Sequence, residues 1–390
     1  MLDKSRFLCL SSFQPGSENH HEGALRFGHG HPSVSNVANS SLVPEVSQDV
    51  DSSSFDSASR FSLPPIRPGS STQTEQSLPN GLSFIRKSFQ DRGIPENIID
   101  IMCASWRPSS AKQYAVYFKK WIHFCSEREV DPYSYNVIRV LEFLTAFFDQ
   151  GQSYSAINTA RSALSAVFYK EQTLGNSPII KRFMKGIFEL RPPLPRYSFI
   201  WDVNIVLDYL KNFKSQDIPL SLLTYKLATL LALTTAQRAQ TLHLLNIKNI
   251  NFLKDKVIIP IPALLKQSNC KRYKFSLRLL PNSDDGDICV INTLKEYLKR
   301  TSVIRGSENK LFISFNRPYK SVSRSTISRW IKAVLREAGI DISIFKAHST
   351  RAAACSNAKL IGVPIDHILK TAGWANVTSF SKFYDRIVDN

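Results

Sequence analysis

The run Arg191-Pro192-Pro193-Leu194-Pro195-Arg196 cannot lie inside a helix or a paired strand, because three prolines in four residues remove three backbone donors and force their predecessors into extended conformations. In a chain of 390 residues it falls near the midpoint. At about 150 residues per domain, it reads as a linker, 191–198, between two globular domains. Ahead of it the pattern is helical from Gly81 onward. Ser109-Ser110 after Pro108 offer an N-cap for a helix over Ala111 to Cys125, whose Tyr114, Tyr117, Phe118, Trp121 and Phe124 recur at spacings of three and four. Tyr135 to Asp149, Tyr154 to Tyr169 and Pro178 to Phe188 continue in the same manner, separated by glycine-containing breaks. The first domain is therefore expected to be all helical, over 83–190.

Residues 1–82 differ in kind. They are rich in Ser, Pro and Gly, show no sustained hydrophobic period and carry five basic against eight acidic side chains. Such a segment cannot offset its ordering entropy by burial, so a disordered tail is expected. His20, His21, His29 and His31 lie in it without companion cysteines or a helical ligand frame, and no metal site is expected.

Beyond the linker, helical patterns run over Val203 to Phe213 and Leu220 to Leu233, and then the period changes. Lys256 to Ile261 and Arg272 to Leu277 are β-prone and bracket the polar Lys266-Gln267-Ser268-Asn269, a hairpin with a lysine near its turn. Helices resume at Ile291 to Arg300, Ser325 to Glu337, Ser349 to Leu360, Pro364 to Thr371 and Ser379 to Tyr384. The chain as a whole reads as mainly α with a small β-sheet, an all-helical domain followed by a mixed α+β domain over 199–390.

Fifty Lys and Arg against 32 Asp and Glu leave a net charge of +18, and with the acidic tail set aside the remaining 308 residues carry +21. That surplus points to a polyanion. The sequence holds no long uncharged apolar run for a membrane span, no signal-peptide pattern at its start and no paired-cysteine framework among Cys9, Cys103, Cys125, Cys270, Cys289 and Cys355. Secretion and membrane insertion are not expected, and the cysteines read as buried thiols. Lys112, Lys119, Lys120, Arg161, Lys181, Arg182 and Lys185 fall on polar helix faces of the first domain, suited to following a phosphate backbone; Lys271 and Lys274 do the same beside the hairpin. Taken singly, each is an ordinary solvated side chain.

His348-Ser349-Thr350-Arg351 stands at a helix start, where positions i and i+3 share a face. Thr234-Thr235-Ala236-Gln237-Arg238 ends one apolar helix and begins another, the hairpin supplies Lys266, and Gly373-Trp374 precedes Tyr384 by ten residues. Separately these are a surface pair, a cap, a lysine and two core aromatics. Together and in this order, Arg238, Lys266, His348, Arg351, Trp374 and Tyr384 resemble the catalytic set of the tyrosine recombinases, the phage-integrase family. The resemblance covers about 300 residues. The phrases Thr235-Ala236-Gln237-Arg238-Ala239-Gln240-Thr241-Leu242 and Arg191 to Tyr197 are similar to eukaryotic mobile-element recombinases of the DIRS-like and Crypton-like kinds.

The resemblance implies a SAM-like helical core DNA-binding domain over 83–190 and a catalytic domain over 199–390. It implies double-stranded DNA as partner, a homotetramer on two duplexes, no metal or small-molecule cofactor, and Tyr384 as the nucleophile of a 3′-phosphotyrosyl intermediate. The chemistry suits these residue types. A phosphodiester gains charge on its equatorial oxygens during attack, so the forked cations Arg238 and Arg351 would stabilise the transition state, and losing one such donor costs roughly 3 kcal/mol, about a hundredfold in rate. His348 can hydrogen-bond or shuttle a proton, and Trp374 supplies an indole N–H that donates and cannot accept. A free tyrosine hydroxyl is only about a thousandth ionised at neutral pH, so a tyrosine nucleophile needs help with its proton. Lys266 would protonate the leaving 5′ oxygen, with Lys271 and Lys274 as competitors for that role.

Only six residues follow Tyr384, so a helix beyond the tyrosine that docks into a neighbouring protomer, as in many relatives, is expected to be absent or short. DNA as substrate and the cluster Lys271-Arg272-Tyr273-Lys274 suggest the nucleus. Two other readings stand beside integration of a mobile element. One is a host protein derived from such an element that binds DNA without cutting it; the other is a type IB topoisomerase-like activity.

Overall fold

Proline opens two helices of the first unit, where a missing N–H costs nothing because the first amides of a helix have no partner within it. The computed structural model describes residues 81–168, 174–194, 197–265, 268, 275–282, 285–374 and 377–389, which form two compact units divided between residues 194 and 195. The first contains α1 (Gly81–Gln90), α2 (Glu96–Cys103), α3 (Pro108–Ser126), α4 (Val137–Asp149), α5 (Tyr154–Ser165) and α6 (Pro178–Leu190). Pro108 and Pro178 occupy the opening positions of α3 and α6. The expected cap at Ser109-Ser110 is thus corrected: those serines lie inside α3, and Arg107 precedes its proline. The α4 cap is Asn136, whose side chain accepts from the amides of Ile138 and Arg139, and the α5 cap is Ser153, which accepts from Ala156.

The core of this unit gathers on Trp121, which is fully buried against Phe124, Phe143 and Phe168 and donates its indole N–H to the Pro132 carbonyl at 2.8 Å. A buried indole needs such an acceptor. Arg191 Nη1 donates to the carbonyls of Phe148 and Gln152 at 3.0 and 2.7 Å, tying the end of α6 to the end of α4. Gly81 and Leu82, placed in the tail by the sequence, belong to α1; residues 1–80, where the rest of that expectation falls, lie outside the described part.

The second unit begins with β1 (Phe199–Trp201) and α7 (Val203–Lys211), capped by Asp202. Next come α8 (Leu220–Thr235), α9 (Ala239–Leu244), β2 (Asn251–Phe252), β3 (Val257–Ile261) and β4 (Phe275–Leu279). The unit ends with α10 (Val290–Thr301), α11 (Arg324–Glu337), α12 (Ser349–Leu360), α13 (Ile365–Ala372), α14 (Val377–Phe383) and β5 (Ile387–Asp389). Helix α8 is apolar nearly all round, as a helix must be when neighbours enclose it, and α10, α11 and α12 pack against it. Its one charged residue, Lys226, is fully buried and donates to the carbonyls of Leu210 and Phe213 just where α7 ends; burial lowers its pKa.

Strands β3 and β4 pair antiparallel with Ile259 opposite Leu277, and alternate residues Val257, Ile259, Ile261, Leu277 and Leu279 face the core. The second strand thus starts at Phe275 among the described residues, three positions beyond the expected Arg272. Residues 269–274 lie outside them, as does Lys266. Strand β1 pairs in parallel with β5, Phe199 opposite Ile387, so the residues after Tyr384 return onto the start of the unit. That pairing is not legible in the sequence because each strand has three residues. Among the described residues no helix is long and apolar enough to cross a membrane, and no cluster of His, Cys, Asp and Glu could hold a metal ion.

Candidate active site

The end of α8 sets the geometry. Ala236 closes it in the left-handed region, φ +50°, a conformation an alanine adopts only against a steric cost. The sharp turn sends Gln237 into the core and leaves Arg238 at the cap of α9. It also aims the Ala236 carbonyl at α12, where Arg351 Nη1 donates to it at 2.5 Å.

Arg351 is fully buried, and its Nε and Nη2 have no hydrogen-bond partner. The plane of the Trp374 ring covers its guanidinium at 4.0 Å, and Tyr384 lies beyond, its ring centroid 5.4 Å away. Burial, and then the neighbouring Arg238 cation, push the Arg351 guanidinium from its ordinary value down to about 10. The groups pulling the other way are Cys355 and Tyr384, and no carboxylate is among them. A buried cation beside a like charge is stabilised by contact with an anion. Cys355, one turn along α12, is itself pushed up to about 12 by burial, so it is an inert thiol.

Tyr384 follows α14, with its amide bonded to the Phe380 carbonyl at 2.8 Å. Its hydroxyl lies 3.1 Å from His348 Nε2, and its ring packs at 4.6 Å from Trp374 and edge-on to His348 at 5.9 Å. His348, the cap of α12, is solvent-exposed, whereas Arg351 one turn on is enclosed. One helix start therefore presents an accessible imidazole and a desolvated cation to the same tyrosine.

The tyrosine segment is also fastened to α12 through groups that carry no sequence signal. Buried Ser356 donates to the Tyr384 carbonyl at 2.7 Å and accepts from the Arg386 amide at 3.1 Å, and Lys359 pairs with Asp385 at 2.6 Å. His348, Ser356 and Lys359 thus fall along one stripe of α12 and set the register of the hydroxyl. Ser356→Ala leaves two backbone groups short of a partner and should cost about 1–3 kcal/mol in stability. Urea unfolding measures that loss, and faster hydrogen exchange at the Arg386 amide locates it; unchanged exchange there would remove Ser356 from this role.

Of the six residues singled out in the sequence, Arg238, His348, Arg351, Trp374 and Tyr384 lie in this one unit; Lys266 is outside the described residues, as are Lys271 and Lys274. Beside them, Leu265 N–H donates to Ser268 Oγ and Ser268 N–H to the Leu265 carbonyl, both at 2.9 Å. Lys112 and Lys119 on α3 and Lys181 and Arg182 on α6 are exposed. Arg161 is half-buried, donates from Nε to Asn158 Oδ1 at 3.1 Å and approaches the Gly175 carbonyl at 3.4 Å, where α5 packs against the turn at 174–176. His243 binds the Val322 carbonyl through Nδ1 at 2.9 Å, a packing role.

Fold and geometry define a helical unit with a small sheet that gathers two arginines, a histidine, a tryptophan and a tyrosine in one site. Residues 203–389 match the model of the phage integrase family. The match covers the second unit, in which the five residues lie, and makes that unit similar to the tyrosine recombinases, enzymes that cleave and rejoin DNA. Among solved structures, the chain is similar to the XerH site-specific recombinase bound to palindromic difH substrate in a post-cleavage complex, at 14% identity and a TM-score of 0.51, covering 79% of this chain and 86% of that one. It is also similar to the Tn1549 transposon integrase in complex with transposon right end DNA, at 14% identity and a TM-score of 0.48, covering 78% and 94%. No curated protein sequence matches the chain.

Proposed function

We propose that the chain is a site-specific recombinase that cuts and rejoins duplex DNA through Tyr384 and serves the integration of a mobile element. The observation that carries this reading is a hydroxyl 3.1 Å from an imidazole, beside a fully buried guanidinium that is paired with no carboxylate among the described residues. That is a nucleophile next to a cation suited to an anion. Tyr384 Oη attacks the scissile phosphorus, the new P–O bond forms and the bond to the 5′ oxygen breaks. His348 takes the hydroxyl proton, and Lys266 gives a proton to the departing 5′ oxygen. Arg238 and Arg351 hold the non-bridging oxygens, and Trp374 walls the site against water. Attack by a 5′-hydroxyl on the phosphotyrosine reverses these steps, so the bond energy is kept and no ATP or metal is consumed.

DNA as the partner is supported by the surplus of +18 and by the exposed Lys112, Lys119, Lys181 and Arg182. A homotetramer acting on two duplexes in the nucleus, and an origin in a DIRS-like or Crypton-like element, complete the reading; the phrases around Arg238 and before Tyr197 support that origin. The test is a plasmid carrying candidate element repeats, stopped with detergent and scored for protein joined to DNA. Adducts and exchange between the repeats are the expected result. Relaxation of any supercoiled plasmid without exchange would favour the topoisomerase reading. Salt-sensitive binding with no adduct would favour a host protein that binds DNA without cutting it.

A further inference from the structure

Gln237 is 2% exposed, next to Arg238 in sequence, yet turned away from solvent into the core. Its Nε2 donates to the Thr371 carbonyl at 2.8 Å and to the Thr235 carbonyl at 3.2 Å. Thr371 lies in the last turn of α13, whose final carbonyls have no partner within the helix. Two residues on, Gly373 turns the chain in the left-handed region, φ +78°, and the Trp374 amide returns to the Leu369 carbonyl at 2.9 Å. Gln237 therefore holds the turn that presents Trp374. Its neighbour Ala236 meanwhile holds Arg351 through its carbonyl.

Two consecutive residues thus cross-tie three elements: α8 with α9, which carry Arg238; α12, which carries Arg351; and α13, which leads to Trp374. The glutamine pays for this, since its Oε1 is buried with no hydrogen-bond partner. A leucine of similar volume would carry no such cost, so the amide is explained by where it holds its neighbours and not by packing.

We propose that Gln237 is a positioning residue that fixes the separation between the Arg238 turn and the Trp374 turn, and with it the shape of the phosphate cradle. The proposal rests on the strand-cleaving reading of the site. A displacement of about 1 Å between such groups costs on the order of a hundredfold in rate while leaving most binding contacts in place.

The test uses the full chain and two variants, Gln237→Met, which keeps length and loses the donor, and Gln237→Asn, which keeps the donor and cannot span the gap. A pool of nicked duplexes of randomised sequence is incubated with wild type, and the sequence captured in covalent adducts is resynthesised with either a phosphate or a neutral methylphosphonate at the cut. Expected are duplex affinity within about threefold of wild type, cleavage of the phosphate substrate slowed about 10- to 100-fold, and a deficit that shrinks to a few fold on the methylphosphonate, which has no charge for the cations to hold. A deficit equal on both substrates means general loosening and overturns the proposal, as does wild-type cleavage by both variants. Should Gln237→Met fail to fold by thermal melting, Gln237→Asn carries the comparison. Absence of any adduct with wild type would instead sink the strand-cleaving reading itself, a different result from any of these.

Discussion

Tyr384→Phe is expected to bind DNA as the wild type does and to form no covalent adduct with it. The substitution removes one oxygen and leaves the ring. That ring packs at 4.6 Å from Trp374 and edge-on to His348, and the backbone of residue 384 stays bonded to Phe380 and Ser356, so the fold has no reason to change. His348 loses its partner at 3.1 Å but is exposed, and water replaces the hydroxyl at little cost. Stability should stay within about 0.5 kcal/mol of wild type. The chemical effect is of another order, since a missing nucleophile leaves the other groups nothing to act on, and losses on the order of 10^4-fold or more are usual. Denaturing gels of labelled nicked duplex after incubation measure the adduct, and filter binding on the same duplex measures affinity. An adduct in the variant would move the nucleophile elsewhere among the tyrosines.

Residues with strong chemical character were legible in the sequence, and those that hold them were not. Helix α12 was read at its observed bounds, Ser349 to Leu360, with the His348 to Arg351 run at its start. Arg238 was legible as a helix junction, but the turn that makes the junction rests on Ala236, a residue with no propensity for a positive φ, enforced by packing around it. Ser356 and Gln237 act through hydrogen bonds to backbone groups of Tyr384, Arg386 and Thr371, remote in sequence, and side-chain type alone says nothing of those partners. The partners of Arg161 were not legible for the related reason that a helical period gives a face but not what lies against it; the turn at 174–176 does. The β1–β5 pair escaped because three-residue strands have no period to detect.

Arg351→Met is expected to make the free protein more stable and the enzyme inactive. The guanidinium is enclosed, and its pKa, lowered from its ordinary value to about 10, means that the folded state disfavours the charged form by about 3 kcal/mol. Against that stand one hydrogen bond to the Ala236 carbonyl and the stacking on Trp374, each about 1 kcal/mol. The balance favours a methionine of similar length by about 1 kcal/mol, or about 2–4 °C in Tm. The sign with pH is fixed by the same shift. A base whose folded pKa is depressed holds fewer protons folded than unfolded only between that pKa and its ordinary value, so the penalty is constant below about pH 10 and is relieved only as pH rises above it. Under neutral conditions relief must come from an anion. Sulfate at fixed ionic strength should therefore raise the Tm of the wild type and leave that of Arg351→Met nearly unchanged, because only the wild type offers the free Nε and Nη2 donors. Cleavage in the variant should fall at least about a hundredfold, since the donors that meet the developing phosphate charge are gone. A variant that melts lower than wild type in the absence of sulfate would mean that packing outweighs desolvation at Arg351. An equal response to sulfate in both proteins would place the anion elsewhere. The tension between stability and chemistry at this residue is what a binding site for a transition state looks like before its substrate arrives: the cation is held where it is least comfortable, and the phosphate is what makes the position favourable.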